Sequence, residues 1–162
     1  MRRPVIAANW KMYKTAAEAG EFCRALLAQS LDDEADKVIF APFTALSTLQ
    51  EELKDSDIAI GAQNFYPKAD GAYTGEISLG MLKEFDVKYV LIGHSERREI
   101  FHETDELIAE ATGFAETDNQ EILNARQMFQ QAEAKYKQDI KDEAEKVRAA
   151  GGLFILGTER HE

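Results

Sequence analysis

Short apolar runs alternating with helix-spaced segments constrain this chain more than any other feature. The runs are Val5-Ile6-Ala7-Ala8, Val38-Ile39-Phe40-Ala41, Ile58-Ala59-Ile60-Gly61 and Tyr89-Val90-Leu91-Ile92. Each is too short for a helix, rich in β-branched residues and apolar on both faces. Such strands belong in a parallel sheet covered on both sides. Between them the spacing predicts a helix from about Ala16 to Gln29, with Phe22, Leu26 and Leu27 on one side. A second runs from about Ala45 to Lys54, with Leu46, Leu49 and Leu53 in register. A polar, glycine-rich loop over 64–75 then leads into a short helix carrying Ile77, Met81, Leu82 and Phe85. Strand and helix alternate at the spacing of repeated βαβ units, so the fold class is α/β with parallel strands and right-handed crossovers.

After about residue 111 the texture changes. Ala111-Thr112-Gly113 interrupts the pattern, and Thr117-Asp118-Asn119 offers N-cap chemistry. From there a polar helical stretch is expected to run to about Ala150. Its thin apolar stripe (Ile122, Ala125, Phe129, Ala132 and onward) resembles a coiled-coil seam. A helix of about 30 residues would be ~45 Å long. Gly151-Gly152 ends it, and Leu153-Phe154-Ile155-Leu156 is a fifth strand candidate. The sequence therefore divides into residues 1–110 and 111–162.

Composition removes several classes of function. A formal net charge of −11 argues against a nucleic-acid partner, which needs a basic patch. Cys23 is the single cysteine, so neither a disulfide framework nor a cysteine metal cluster is expected. Beside Phe22 and Leu26 it reads as a buried thiol. No apolar run approaches the ~20 residues of a membrane helix. The apolar stretch after Met1-Arg2-Arg3-Pro4 is broken by Asn9 and Lys11, too short for a signal peptide. A cytoplasmic protein with no membrane partner, no metal and no cofactor is expected.

Ligands of parallel sheets bind at the carboxyl ends of the strands. Asn9 and Lys11 follow the first strand, Gln63 and Asn64 the third, and Gly93-His94-Ser95-Glu96-Arg97-Arg98 the fourth. Lys11 supplies positive charge for a phosphate or an oxyanion, Asn9 an amide donor, and His94 a neutral donor to a carbonyl. The plainer alternatives stay open: His94 as an ordinary loop residue, and Lys11 with Glu96 as a surface ion pair of small worth. Arg97 and Arg98 would then be a solvated face pairing with Glu99, Glu103 or Asp105.

Ala8-Asn9-Trp10-Lys11-Met12, Ala41-Pro42, Gly61-Ala62-Gln63-Asn64, Gly71–Glu76 and Tyr89–Arg98 together resemble triosephosphate isomerase, in order and at its spacing, over roughly residues 4–110. The resemblance implies a partial, half TIM-type (β/α) barrel of four to five parallel strands. It also implies interconversion of dihydroxyacetone phosphate and glyceraldehyde 3-phosphate. Asn9 and Lys11 would bind substrate, His94 would be the catalytic electrophile, and Glu96 would position Lys11. The segment at Thr74 would complete a neighbouring subunit's site. This family is itself the standard illustration of a glutamate base paired with a neutral histidine.

Nothing in the 162 residues resembles the family's base-bearing strand and lid, or its later phosphate loops. Instead, residues 111–162, above all Gly151–Glu162, resemble the second nucleotide-binding domain of the SecA preprotein-translocase motor. No G-x-x-x-x-G-K-[ST] loop occurs, so ATPase activity is not expected. The sequence thus predicts a chimeric isomerase-derived chain, inactive as an isomerase, with weak binding of phosphate-bearing small molecules. The alternative is a non-catalytic hybrid whose long helix serves oligomerisation. An open half-barrel leaves unpaired edges, so self-association is expected in both cases.

Overall fold

The computed structural model describes residues 4–29, 34–118 and 123–124. β1 (Val5–Asn9), β2 (Asp36–Ala41), β3 (Ile58–Ala62) and β4 (Val87–Val90) form a parallel sheet in chain order, and a two-residue β5 (Leu123–Asn124) pairs with β4. Register runs Asn9 to Phe40, Phe40 to Gly61 and Ala62 to Val90, with an irregularity between Ile60 and Gly61. The helices are α1 (Ala16–Leu27), α2 (Leu46–Leu53, after a 3₁₀ turn at Phe43–Ala45), α3 (Leu79–Lys83), α4 (Ser95–Glu99) and α5 (Asp105–Asp118). This is an α/β arrangement consistent with a partial TIM-type fold.

In β2 and β3 the continuous apolar runs are explained by two buried faces, whereas β1 holds no fully buried residue and its Ile6 is 62% exposed. Ile39, Ala41, Ile60 and Ala62 meet Cys23 of α1, Leu46 and Leu49 of α2, Leu79 and Leu82 of α3 and Ile108 of α5. On the opposite face Val38, Phe40 and Leu91 pack with Val5, Ala7, Ala59 and Tyr89. Period-2 alternation sends successive side chains to the two faces.

α1 starts at Thr15 with a full capping box: the Glu18 N–H donates to Thr15 Oγ1 at 3.3 Å, and the Thr15 N–H donates to Glu18 Oε2 at 2.7 Å. Its buried face is Ala19, Gly20 and Cys23. Leu27, expected inside, is 39% exposed. At Gly20 a Cβ would stand 3.0 Å from Arg24 Nη1 and 3.2 Å from Glu52 Oε1, the α2 residue that pairs with Arg24. The two helices meet along this small-residue face, which turns Leu27 outward.

The structure corrects the sequence reading in three further places. The fourth strand lies at Val87–Val90, two residues before the apolar run, because Leu91 and Ile92 are apolar through burial, at 7% and 8% exposure, after the assigned strand has ended. The Leu91 N–H still donates to the Ala62 carbonyl at 2.9 Å. Nor does the pattern break at Ala111-Thr112-Gly113. α5 runs through it, since the Thr112 hydroxyl donates back to the Ile108 carbonyl at 2.8 Å and Gly113 occupies open space. Leu123 and Asn124, inside the stretch expected to be helical, are instead extended and give β4 a ladder partner. The rest of that helix and the strand expected at Leu153–Leu156 lie outside the described residues.

Candidate functional site at the strand ends

Asn9 ends β1, and the chain turns immediately. The Lys11 N–H donates to Asn9 Oδ1 at 2.9 Å, an Asx-type turn that places Lys11 at a left-handed φ of 52°. That bond also fixes the amide, leaving Asn9 Nδ2 on the side of His94. The Trp10 N–H donates to the Phe40 carbonyl at 3.0 Å, and the Trp10 ring, buried, meets Phe22 edge-on at 5.3 Å. Backbone and ring together anchor the turn that carries Lys11.

His94 arrives from β4 through Gly93, whose φ is +66°. A Cβ there would be strained and would stand 3.0 Å from Ile108 Cδ1, so glycine serves both the turn and the close approach of α5. His94 caps α4, with the Glu96 N–H donating to Nδ1 at 3.2 Å. Because Nδ1 is the acceptor, the neutral ring carries its proton on Nε2. Nε2 lies 3.3 Å from Asn9 Nδ2. Both atoms are then donors, and an oxygen arriving beside them is shared by both. That is the arrangement needed to polarise a carbonyl.

Lys11 Nζ sits 2.6 Å from Glu96 Oε1, and Glu96 Oε2 is 3.7 Å from His94 Nδ1. The hydrogen bond from Lys11, aided by its charge, holds the Glu96 carboxyl below the ordinary range, and Glu96 in turn raises Lys11. Both side chains are about half exposed, at 50% and 40%, so the pair orients Lys11 more than it stabilises the fold.

Asn9, Lys11, His94 and Glu96 therefore converge. Thr74 does not join them. It sits on an exposed turn of the loop between β3 and α3, and its side chain makes no hydrogen bond among the described residues. Arg97 and Arg98 pair with Glu103 and Asp105, two of the partners the sequence suggested. A cavity of about 160 Å³ adjoins the site behind Gly93, lined also by Asn64, Tyr66, Arg97 and Ile108, without reaching Asn9, Lys11 or His94. Among the described residues no cluster is arranged to hold a metal, and no helix is long and apolar enough to cross a membrane. The sequence reading missed the backing of Gly93 by Ile108. Its only signal was a glycine directly before a strand-end histidine.

A family model described as triosephosphate isomerase matches residues 4–151. The chain belongs to the triosephosphate isomerase family. A triosephosphate isomerase of Finegoldia magna is 43% identical over 141 residues, covering 86% of this chain and 56% of that protein. One from Carboxydothermus hydrogenoformans is 54% identical over 110 residues, 67% of this chain and 43% of the relative. One from Alkaliphilus metalliredigens is 51% identical over 108 residues, 67% and 44%. The chain thus spans about half the length of the curated relatives it matches. The family match runs past residue 110, where the sequence reading placed its boundary.

Proposed function

We propose that this chain binds a small phosphate-bearing molecule of the triose phosphate class through Asn9, Lys11 and His94, but does not by itself interconvert dihydroxyacetone phosphate and glyceraldehyde 3-phosphate. The observation that carries this reading is the convergence of Asn9 Nδ2 and His94 Nε2, 3.3 Å apart, beside a cation held by Glu96. The donors suit a substrate carbonyl and the ammonium suits an anion. Isomerisation also needs a base to remove a carbon-bound proton. The site's own carboxylate, Glu96, is engaged with Lys11. General acid–base catalysis contributes about 10²–10⁴-fold, so turnover by these 162 residues alone falls to background.

In the same reading, residues 1–110 are the isomerase-derived half-barrel, and residues 111–162 derive from a sequence like the SecA motor. What supports a join is the resemblance of Gly151–Glu162 described above, whereas the family match itself extends to residue 151. A half-barrel whose β1 is an edge strand among the described residues associates with a second copy, and the residues after β1 favour this: Met12 is 95% exposed and Tyr13 74%. Thr74 is the candidate for contact with the partner's site.

A coupled isomerase assay and a phosphate titration on wild type and Lys11→Ala test the proposal. The expected result is background turnover in both proteins and phosphate binding weakened about 10- to 100-fold by the substitution. Equal phosphate binding by both proteins refutes the site. Turnover that Lys11→Ala abolishes refutes the inactivity. Sedimentation at low micromolar concentration should show at least a dimer, and a compact monomer refutes self-association. Association without phosphate binding is what the non-catalytic hybrid predicts.

A further inference from the structure

Gln63 follows β3 on the same rim and has no place in the site described so far. Its Nε2 donates to the Phe40 carbonyl at 3.0 Å, and the same carbonyl accepts the Trp10 N–H at 3.0 Å. One oxygen at the end of β2 thereby ties the exits of β1 and β3 together, with both lone pairs used. The residue after Trp10 is Lys11, whose φ of 52° is a conformation that a non-glycine residue keeps only where its surroundings over-determine it. Asn9 Oδ1 fixes Lys11 from one side, and the Phe40 carbonyl, through Trp10, fixes it from the other.

We propose that Gln63 is a positioning residue for Lys11: by holding the Phe40 carbonyl, its amide fixes the Trp10 backbone and with it the aim of the Lys11 ammonium at Glu96 and at an incoming anion. The residue type matters. An apolar side chain leaves the carbonyl with one donor, and a carboxylate would set acceptor against acceptor. Only the anion-binding arm of this inference rests on the phosphate site proposed above.

The experiment uses the full chain with Gln63→Met, nearly the same length without the donor, and Gln63→Leu as a second variant. Amide hydrogen exchange reads Trp10, and carbon-detected NMR titration reads the Glu96 carboxyl, which is faced by Lys11 and His94. Inorganic phosphate titration reads the site. In a folded variant the Trp10 amide should exchange about three- to tenfold faster than in wild type, relative to amides within β2 and β3. The Glu96 midpoint should rise toward the ordinary carboxyl range as Lys11 is released. Phosphate affinity should fall by a similar factor. Unchanged Trp10 exchange and an unchanged Glu96 midpoint overturn the proposal, and so does failure of both variants to fold, which would make Gln63 purely structural. If wild type binds no phosphate, the proposed function fails, while Trp10 exchange and the Glu96 titration still decide the role of Gln63.

Discussion

The ring of Phe40 occupies the space that a side chain at Gly61 would need: a Cβ built on Gly61 would stand 2.4 Å from Phe40 Cδ1 and 2.6 Å from Cε1. The two residues are register partners on β2 and β3, and Phe40 is fully buried. Gly61→Ala should therefore cost about 1–3 kcal/mol as overpacking. Phe40→Leu in the same chain should recover part of that cost by making room. Denaturant midpoints of the two single variants and the double variant give the coupling, and strictly additive effects would sink the idea.

Gly93 carries two constraints at once, a left-handed φ and the contact with Ile108. Gly93→Ala should cost more than about 1 kcal/mol from the backbone alone. Ile108→Val should relieve only the steric part. Because Gly93 hands the chain to His94, the alanine variant should also change the His94 ring resonances in NMR. A variant with wild-type stability and an unmoved His94 would contradict this account.

The capping box of α1 gives a pH prediction. The Thr15 N–H, and after it the Thr15 hydroxyl, hold the Glu18 carboxyl below its ordinary range. A depressed carboxyl contributes stability that is complete above the ordinary glutamate pKa and is lost as pH falls through the lower, folded value. Thr15→Ala should cost about 0.5–2 kcal/mol at neutral pH. Thermal unfolding followed into acid should then show a shallower loss in the variant than in wild type. Equal acid slopes would rule out the Thr15 hydroxyl as a contributor.

Cys23 is fully buried, and burial pushes its thiol above the ordinary range, with Glu52 adding to the effect. The protonated thiol contributes stability below the ordinary thiol pKa, and that contribution is lost only as pH rises through the raised value. A disulfide reagent should therefore label the native chain slowly even at mildly alkaline pH, and rapidly once denaturant opens the fold. Fast native labelling would mean that the Cys23 face of α1 is not packed against the core.

Much of the fold could be read from the sequence because burial on both faces writes itself as continuous apolar runs, and β2 and β3 fall on theirs; β1 falls on its run too, although its Ile6 is exposed. The same signal misplaced β4, since Leu91 and Ile92 are buried without lying in the assigned strand. α5 was obscured by Thr112-Gly113, whose turn-like chemistry is absorbed by a back-bonded hydroxyl and an open helix face. Leu123-Asn124 read as helix because local spacing carries no information about the β4 edge awaiting a partner. In the site, residue types at the strand ends marked Asn9, Lys11, His94 and Glu96 as candidates, and the structure brings these side chains together. The tautomer of His94 and the shared carbonyl of Phe40 arise from contacts between distant segments, which no local pattern encodes.

Strands that sit side by side in the order they are made have a kinetic consequence. As the chain leaves the ribosome, β2 can dock on β1, then β3 on β2, each waiting only for its own connecting helix. Closing a short loop costs little entropy, and such local contacts favour rapid folding. Assembly by successive addition also means that a different sequence following β4 meets a platform already built, and needs only to offer one more parallel edge.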